Sequence, residues 1–207
     1  MRTQTRQTQD SLTPDLALDI LKQGNIRFVN NIKAHRNLLE QVNETSSGQF
    51  PFAAILSCID SRTSAELIFD QGLGDIFSIR IAGNILNEDI LGSMEYACKV
   101  AGSKLILVLG HTKCGAIAGA CDHVEMGHIT GLLNKIRPAI EGETETTQNR
   151  NGSNAVFVKN VSKNNVFINV EKIREQSVIL NQMEQEGLIK IVGAFYDLDT
   201  GQVNFYA

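Results

Sequence analysis

Two short apolar runs constrain this chain most: Ala53-Ala54-Ile55-Leu56-Ser57 and Leu105-Ile106-Leu107-Val108-Leu109-Gly110. Runs of this length, rich in Ile, Val and Leu, read as strands buried on both faces, as in a parallel sheet. Each is followed at once by residues that carry chemistry. Cys58-Ile59-Asp60-Ser61-Arg62 follows the first and His111-Thr112-Lys113-Cys114 the second. Ligands of parallel sheets sit in the crevice at the carboxyl ends of the strands. Two thiols, an imidazole, a carboxylate and a guanidinium are thus expected on one rim. Two cysteines and a histidine make three zinc ligands with a fourth position open, the pattern of a catalytic zinc.

The segments between these runs complete an α/β reading. Thr13-Pro14-Asp15 is a helix start, with a hydroxyl cap and proline in the first turn, and Leu16, Ile20, Leu21 and Phe28 carry the helix over residues 13–31. With no strand before it, this helix is expected to pack either on a partner subunit or on its own domain. Residues 1–12 read as a flexible arm and 37–48 as polar and irregular. A short helix follows Arg62 and ends near Gly72, then a strand over 75–81 and a turn at Gly83-Asn84. Asn87 caps a helix whose apolar residues run from Ile90 to Ala101, stopping at Gly102. The strand-helix-strand order implies parallel pairing with a right-handed crossover. Residues 115–120 suit a helix close on the sheet, and 131–140 another. Residues 141–154 read as an exposed loop, and 165–186 as one long helix. A strand over 188–196 and a hairpin turn at 199–201 lead to a last strand over 203–206. The fold expected is therefore α/β. A mostly parallel central sheet of four strands, with a fifth antiparallel, is flanked by helices in a single domain spanning residues 1–207.

Composition excludes several classes. The net charge of −4 and pI of about 5.6 give no footprint for nucleic acid. No apolar run reaches the roughly 18 residues of a membrane span, and residues 1–10 lack the apolar core of a secretory signal. Four cysteines are too few for a disulfide framework in a chain of 207 residues, which points to reduced thiols and a cytoplasmic setting. A leader removed ahead of residue 1 stays open. Cys98 and Cys121 read as small buried hydrophobes.

The ligand set allows more than one arrangement. Cys121, His123 or His128 would close the site into a structural zinc centre with four ligands. An open site would instead bring the pKa of a bound water toward about 7 and yield a hydroxide nucleophile. Asp60 is placed to accept a hydrogen bond from it. Arg62 is placed to pair with Asp60 as a bidentate fork, keeping that carboxylate ionised and off the metal.

Cys58-x-Asp60-x-Arg62 followed by His111-x-x-Cys114 resembles the signature of the β-class carbonic anhydrases. The likeness runs from about Gln49 to Cys121, through Arg80-Ile81-Ala82-Gly83-Asn84 and Glu95-Tyr96-Ala97, and resumes at Gly193-Ala194-Phe195-Tyr196-Asp197. The resemblance implies reversible hydration of CO2 to bicarbonate and a proton. It implies one Zn2+ per subunit on Cys58, His111 and Cys114, with Asp60 and Arg62 as the orienting dyad. Gln49 matches the family's pocket glutamine, whose amide donates to a substrate oxygen. Phe77 and Tyr96 match apolar pocket positions, Tyr96 across a dimer, with core packing the competing role for both. A homodimer or dimer-based homotetramer is implied, its N-terminal helix embracing the partner. Hydrolysis of carbonyl sulfide or carbon disulfide on the same zinc is the alternative activity, and a bicarbonate sensor or scaffold the alternative without turnover.

Two departures stand out. Some family members carry a second bicarbonate site with a tryptophan three positions before the first cysteine ligand. This chain has Ile55 there and no tryptophan, although Arg80 and Tyr196 match the other two members. Inhibition through that site is therefore expected to be weak or absent. The segment after Asn84 is also shorter than in some relatives, which bears on the match of Tyr96. For proton export, His35, His123 and His128 are candidates, and buffer acting directly is the simpler expectation.

Overall fold

The computed structural model describes residues 3–206. Three helices precede the first strand: α1 (Arg6–Ser11), α2 (Pro14–Val29) and α3 (Leu38–Thr45). Strand β1 (Ala53–Ser57), α4 (Ala65–Ile68) and β2 (Ile76–Arg80) follow, then a short 3₁₀ turn over Ala82–Asn84. Helix α5 (Glu88–Glu95) widens into a π turn over Tyr96–Val100 and leads to β3 (Leu105–His111). Next come α6 (Gly115–Cys121), α7 (Gly127–Asn134), α8 (Arg137–Glu141), α9 (Ala155–Gln176) and α10 (Val178–Gln185), then β4 (Lys190–Tyr196) and β5 (Val203–Tyr206).

The strands form one sheet in the order β2-β1-β3-β4-β5. The first four pair in parallel and β5 runs antiparallel to β4, as the sequence reading expects. Alternation along the strands divides the core in two. On one face Ile55, Leu105, Leu107, Leu109 and Val192 pack on Ala17, Leu18 and Leu21 of α2 and on Ile68 and Phe69. On the other, Leu56, Ile106, Val108 and Ile191 pack on Met94 and Cys98 and on Val166, Val170 and Ile173 of α9. Gly110 and Gly193 let α9 approach this second face closely. A Cβ at Gly110 would stand 2.6 Å from Val166 Cγ2, and one at Gly193 2.8 Å from Val166 Cγ1.

Several elements differ from the sequence expectations. Residues 6–11, expected within a flexible arm, form α1. Thr5 and Thr8 make its capping box, and the buried Gln9 amide donates to the carbonyls of Pro51 and Ala101, each at 2.8 Å. Met1 and Arg2 lie outside the described residues. The segment read as irregular contains α3, capped by Asn37. Helix α7 starts at Gly127, and the expected single helix over 131–140 breaks ahead of Pro138 into α7 and α8. Helix α9 starts ten residues earlier than expected, on an Asn154 cap, and ends at Gln176, where Ser177 caps α10. The loop at 141–154 has no helix beyond its first residue, but Glu143 within it is buried and bound by Arg150, Thr146 and Asn160.

Candidate metal centre

Strand order creates the crevice. From β1 the chain goes out to β2 on one side and returns to β3 on the other, so a topological switch point opens between the carboxyl ends of β1 and β3. Ser57 and Leu109 are register partners. Cys58 therefore leaves β1 beside the last residue of β3, His111, and Cys114 follows at the cap of α6. The ligand atoms of Cys58, His111 and Cys114 lie within 4.8 Å of one another, and all three residues are buried.

The geometry suits a tetrahedral metal. The two sulfurs are 3.9 Å apart, where tetrahedral bonds of about 2.3 Å would separate them by about 3.8 Å. His111 Nδ1–H donates to the Thr112 carbonyl at 2.8 Å, which leaves Nε2 as the lone-pair nitrogen. Nε2 is buried and has no hydrogen-bond partner, an orphan that a metal would satisfy. The two thiols act as one acid. Cys114 donates toward Cys58 and, against burial and with help from the amides of Asp60 and Gly83, holds the Cys58 thiol well below the usual thiol range. The same contact, with burial, pushes Cys114 up. Among the described residues neither Cys121, His123 nor His128 joins the cluster. Cys98 and Cys121 are free and buried, and burial pushes both thiols up.

Asp60 and Arg62 form the expected fork. Arg62 Nε donates to Asp60 Oδ1 at 2.9 Å and Nη2 to Oδ2 at 2.7 Å, while the Arg62 amide donates to Oδ1 at 3.0 Å. Hydrogen bonding from Arg62 holds the Asp60 carboxyl well below the usual carboxylate range, with burial opposing. The loop that carries them is tied from below. Arg80 Nε donates to the Cys58 carbonyl at 3.1 Å and Nη2 to the Asp60 carbonyl at 2.7 Å. Thr63 Oγ1 donates to the Cys58 carbonyl at 3.1 Å.

The remaining residues singled out in the sequence stand elsewhere. Gln49 is exposed ahead of β1, whose five residues run about 13 Å between it and the cysteine rim. Phe77 and Tyr96 meet edge to face at 6.3 Å and line an open groove of about 620 Å³ along edge strand β2, which none of the three cluster residues lines. Tyr96 is 55% exposed. His35, His123 and His128 are exposed, and His123 lines a separate pocket with Glu125, Thr130 and Arg137. Sequence reasoning missed Ser162, Asn165 and Asn169 of α9, which hold the frame of the cluster from behind. Their signal was the Asn154 cap followed by apolar residues at 157, 158 and 161.

Comparison with known proteins agrees with this arrangement. The sequence model of the family described as carbonic anhydrase matches residues 53–203. Carbonic anhydrase 2 of Mycobacterium tuberculosis is 35% identical over 190 residues, covering 91% of each chain. The carbonic anhydrase of Mycolicibacterium smegmatis is 34% identical over 191 residues, covering 92% of each. A solved tetrameric β-carbonic anhydrase of Sordaria macrospora superposes with a TM-score of 0.69 at 20% identity, over 81% of this chain and 90% of that one.

Proposed function

Since this chain belongs to the β-class carbonic anhydrases, we propose that it catalyses the reversible hydration of CO2 to bicarbonate and a proton on one Zn2+ per subunit. Cys58, His111 and Cys114 would hold the ion. The observation that carries the proposal is the three-atom donor set, with its orphaned His111 Nε2, beside a carboxylate already engaged by arginine. Bound there, zinc supplies Lewis-acid activation of water near neutral pH.

The chain's own residues supply the rest. Asp60 accepts a hydrogen bond from the attacking water and aims its lone pair at the carbon of CO2. Arg62 occupies both Asp60 oxygens, which keeps the carboxylate ionised and away from the metal position. The donated proton leaves to buffer. Gln49 donates its amide to the CO2 oxygen on which negative charge grows. Its place at the far end of β1 supports assigning that role across a subunit interface. Phe77 and Tyr96 form an apolar wall of the pocket in the same assembly. Leu16, Ile26 and Val29 of α2 and Leu38, Leu39 and Val42 of α3 are exposed, while Ala17, Leu18 and Leu21 pack on the chain's own sheet. That two-sided character supports α2 bridging to a second copy, in a homodimer or dimer-based homotetramer. Among the described residues no helix is long and apolar enough to cross a membrane.

Stopped-flow CO2 hydration by the zinc-loaded protein tests the proposal. Turnover is expected in the wild type and its loss in Cys58→Ser, with loss of stoichiometric zinc. A zinc-loaded protein that hydrolyses carbonyl sulfide but leaves CO2 untouched would replace this reading with the alternative one.

A further inference from the structure

One face of α9 carries three polar side chains at positions 162, 165 and 169, each no more than 2% exposed. The Ser162 hydroxyl donates to the His111 carbonyl at 3.1 Å. The Asn165 amide donates to the Gly83 carbonyl, and the Asn169 amide to the Asn84 carbonyl, both at 2.9 Å. Burying a carboxamide is costly unless it is hydrogen-bonded, and Leu would fill similar space beside Val166 and Val170. What these amides hold is therefore the reason to look at them.

Gly83 is the joint between α9 and the metal cluster. Its N–H donates to Cys58 Sγ at 3.3 Å, and its carbonyl is the one Asn165 holds. Its φ is +66°, which favours glycine, and a Cβ there would meet Ile136 Cδ1 at 2.9 Å. The glycine backbone has little intrinsic preference for this orientation, so the bonds on either side must keep it. We infer that Asn165 is a positioning residue for the metal centre: by fixing the Gly83 carbonyl, it keeps the Gly83 N–H on Cys58 Sγ and so sets how strongly that sulfur donates. Outer hydrogen bonds of this kind orient and tune metal ligands. The inference rests on the metal reading of the previous subsection. Asn169 provides a matched contrast. It makes the same bond one turn along, but the Asn84 N–H beside it donates to the Ile81 carbonyl rather than to a ligand.

The test uses the full chain as wild type, Asn165→Leu, Asn165→Ser and Asn169→Leu. Zinc affinity is measured by competition with a chromogenic chelator, and the sulfur-to-metal charge-transfer band is recorded with Co(II). Both Asn165 variants are expected to bind zinc about 10–100-fold more weakly. Their band is expected at lower energy, because the sulfur lone pair has lost its N–H partner. Asn169→Leu should keep the wild-type band and stay within about threefold in affinity, even where its stability falls as far. The serine variant adds no bulk, so it carries the test if the leucine variant does not fold. A folded Asn165 variant with wild-type affinity and band would overturn the inference, as would an Asn169→Leu loss equal to that of Asn165→Leu. A wild type that takes up neither metal would overturn the metal reading beneath it.

Discussion

Asp60 and Asp70 are both aspartates bound by arginine, ten residues apart in the chain, and the difference between them separates the carboxylate proposed to act at the metal from a structural one. Asp60 takes its arginine from two residues along the same loop, and the Arg62 side chain is 53% exposed. Asp70 is 3% exposed and draws Arg27 from α2 and Arg36 from the segment ahead of α3, each at 2.5 Å. The Ala34 amide also donates to it, at 3.1 Å. The first pair is local and open, so it adds little to folding and leaves its carboxylate accessible. The second ties α2 and the segment ahead of α3 to the turn that follows α4. Identical chemistry thus divides by depth and by how far along the chain the partners come from.

The largest effect should come from the buried pair. Asp70→Asn removes the buried carboxylate that Arg27 and Arg36 share and is expected to cost about 3–5 kcal/mol in urea unfolding, while each folded molecule keeps its metal affinity. Burial opposes ionisation of Asp70, but Arg27, the Ala34 amide and Arg36 outweigh it and hold the carboxyl low. Its stabilisation is therefore present above the ordinary carboxylate range, near pH 3.9, and is lost as pH falls through the lowered value. Acid unfolding of Asp70→Asn should accordingly be shallower than that of the wild type. Asp60→Asn should reverse the pattern. About 100-fold or more is expected to be lost in kcat/KM for CO2 hydration, with under about 1 kcal/mol lost in stability. An Asp60 variant that loses stability but keeps turnover would erase the contrast.

The smallest expected effect concerns bicarbonate. Arg80 is committed to the Cys58 and Asp60 carbonyls, and Ile55, which the sequence resemblance matches to the tryptophan of a second bicarbonate site, is wholly buried in β1. Raising bicarbonate should slow hydration only as far as product competition requires, with no cooperative shutdown in its concentration dependence. A steep, cooperative loss of rate would show that Asp60 is released from Arg62 more easily than the fork suggests.

What the sequence disclosed follows the same division. β1 and β3 were legible because both faces of each are apolar, and the cluster because its residues follow those strands directly. The fork was legible because its partners stand two positions apart. The Asp70 pair was not, since Arg27, Arg36 and Asp70 lie far apart in sequence and no local pattern joins them. Helix α1 was missed because its anchor, Gln9, is held by hydrogen bonds and not by an apolar stripe. The first turns of α9 were missed for a related reason. Within 155–164 the polar Lys159, Asn160, Ser162, Lys163 and Asn164 obscure the apolar period, and Ser162 reads as solvent-facing until the carbonyl it holds is known. Besides the Asn154 cap, Gly110 and Gly193 were a hint, glycines inside strands marking where another element comes close.

Anomalous diffraction at the zinc edge from crystals of the zinc-loaded protein tests the central claim most directly. One metal peak per subunit is expected, about 2.3 Å from Sγ of Cys58 and of Cys114 and about 2.0 Å from His111 Nε2, with no further cysteine or histidine bound. A peak elsewhere, or a fourth ligand drawn from Cys121, His123 or His128, would contradict the account.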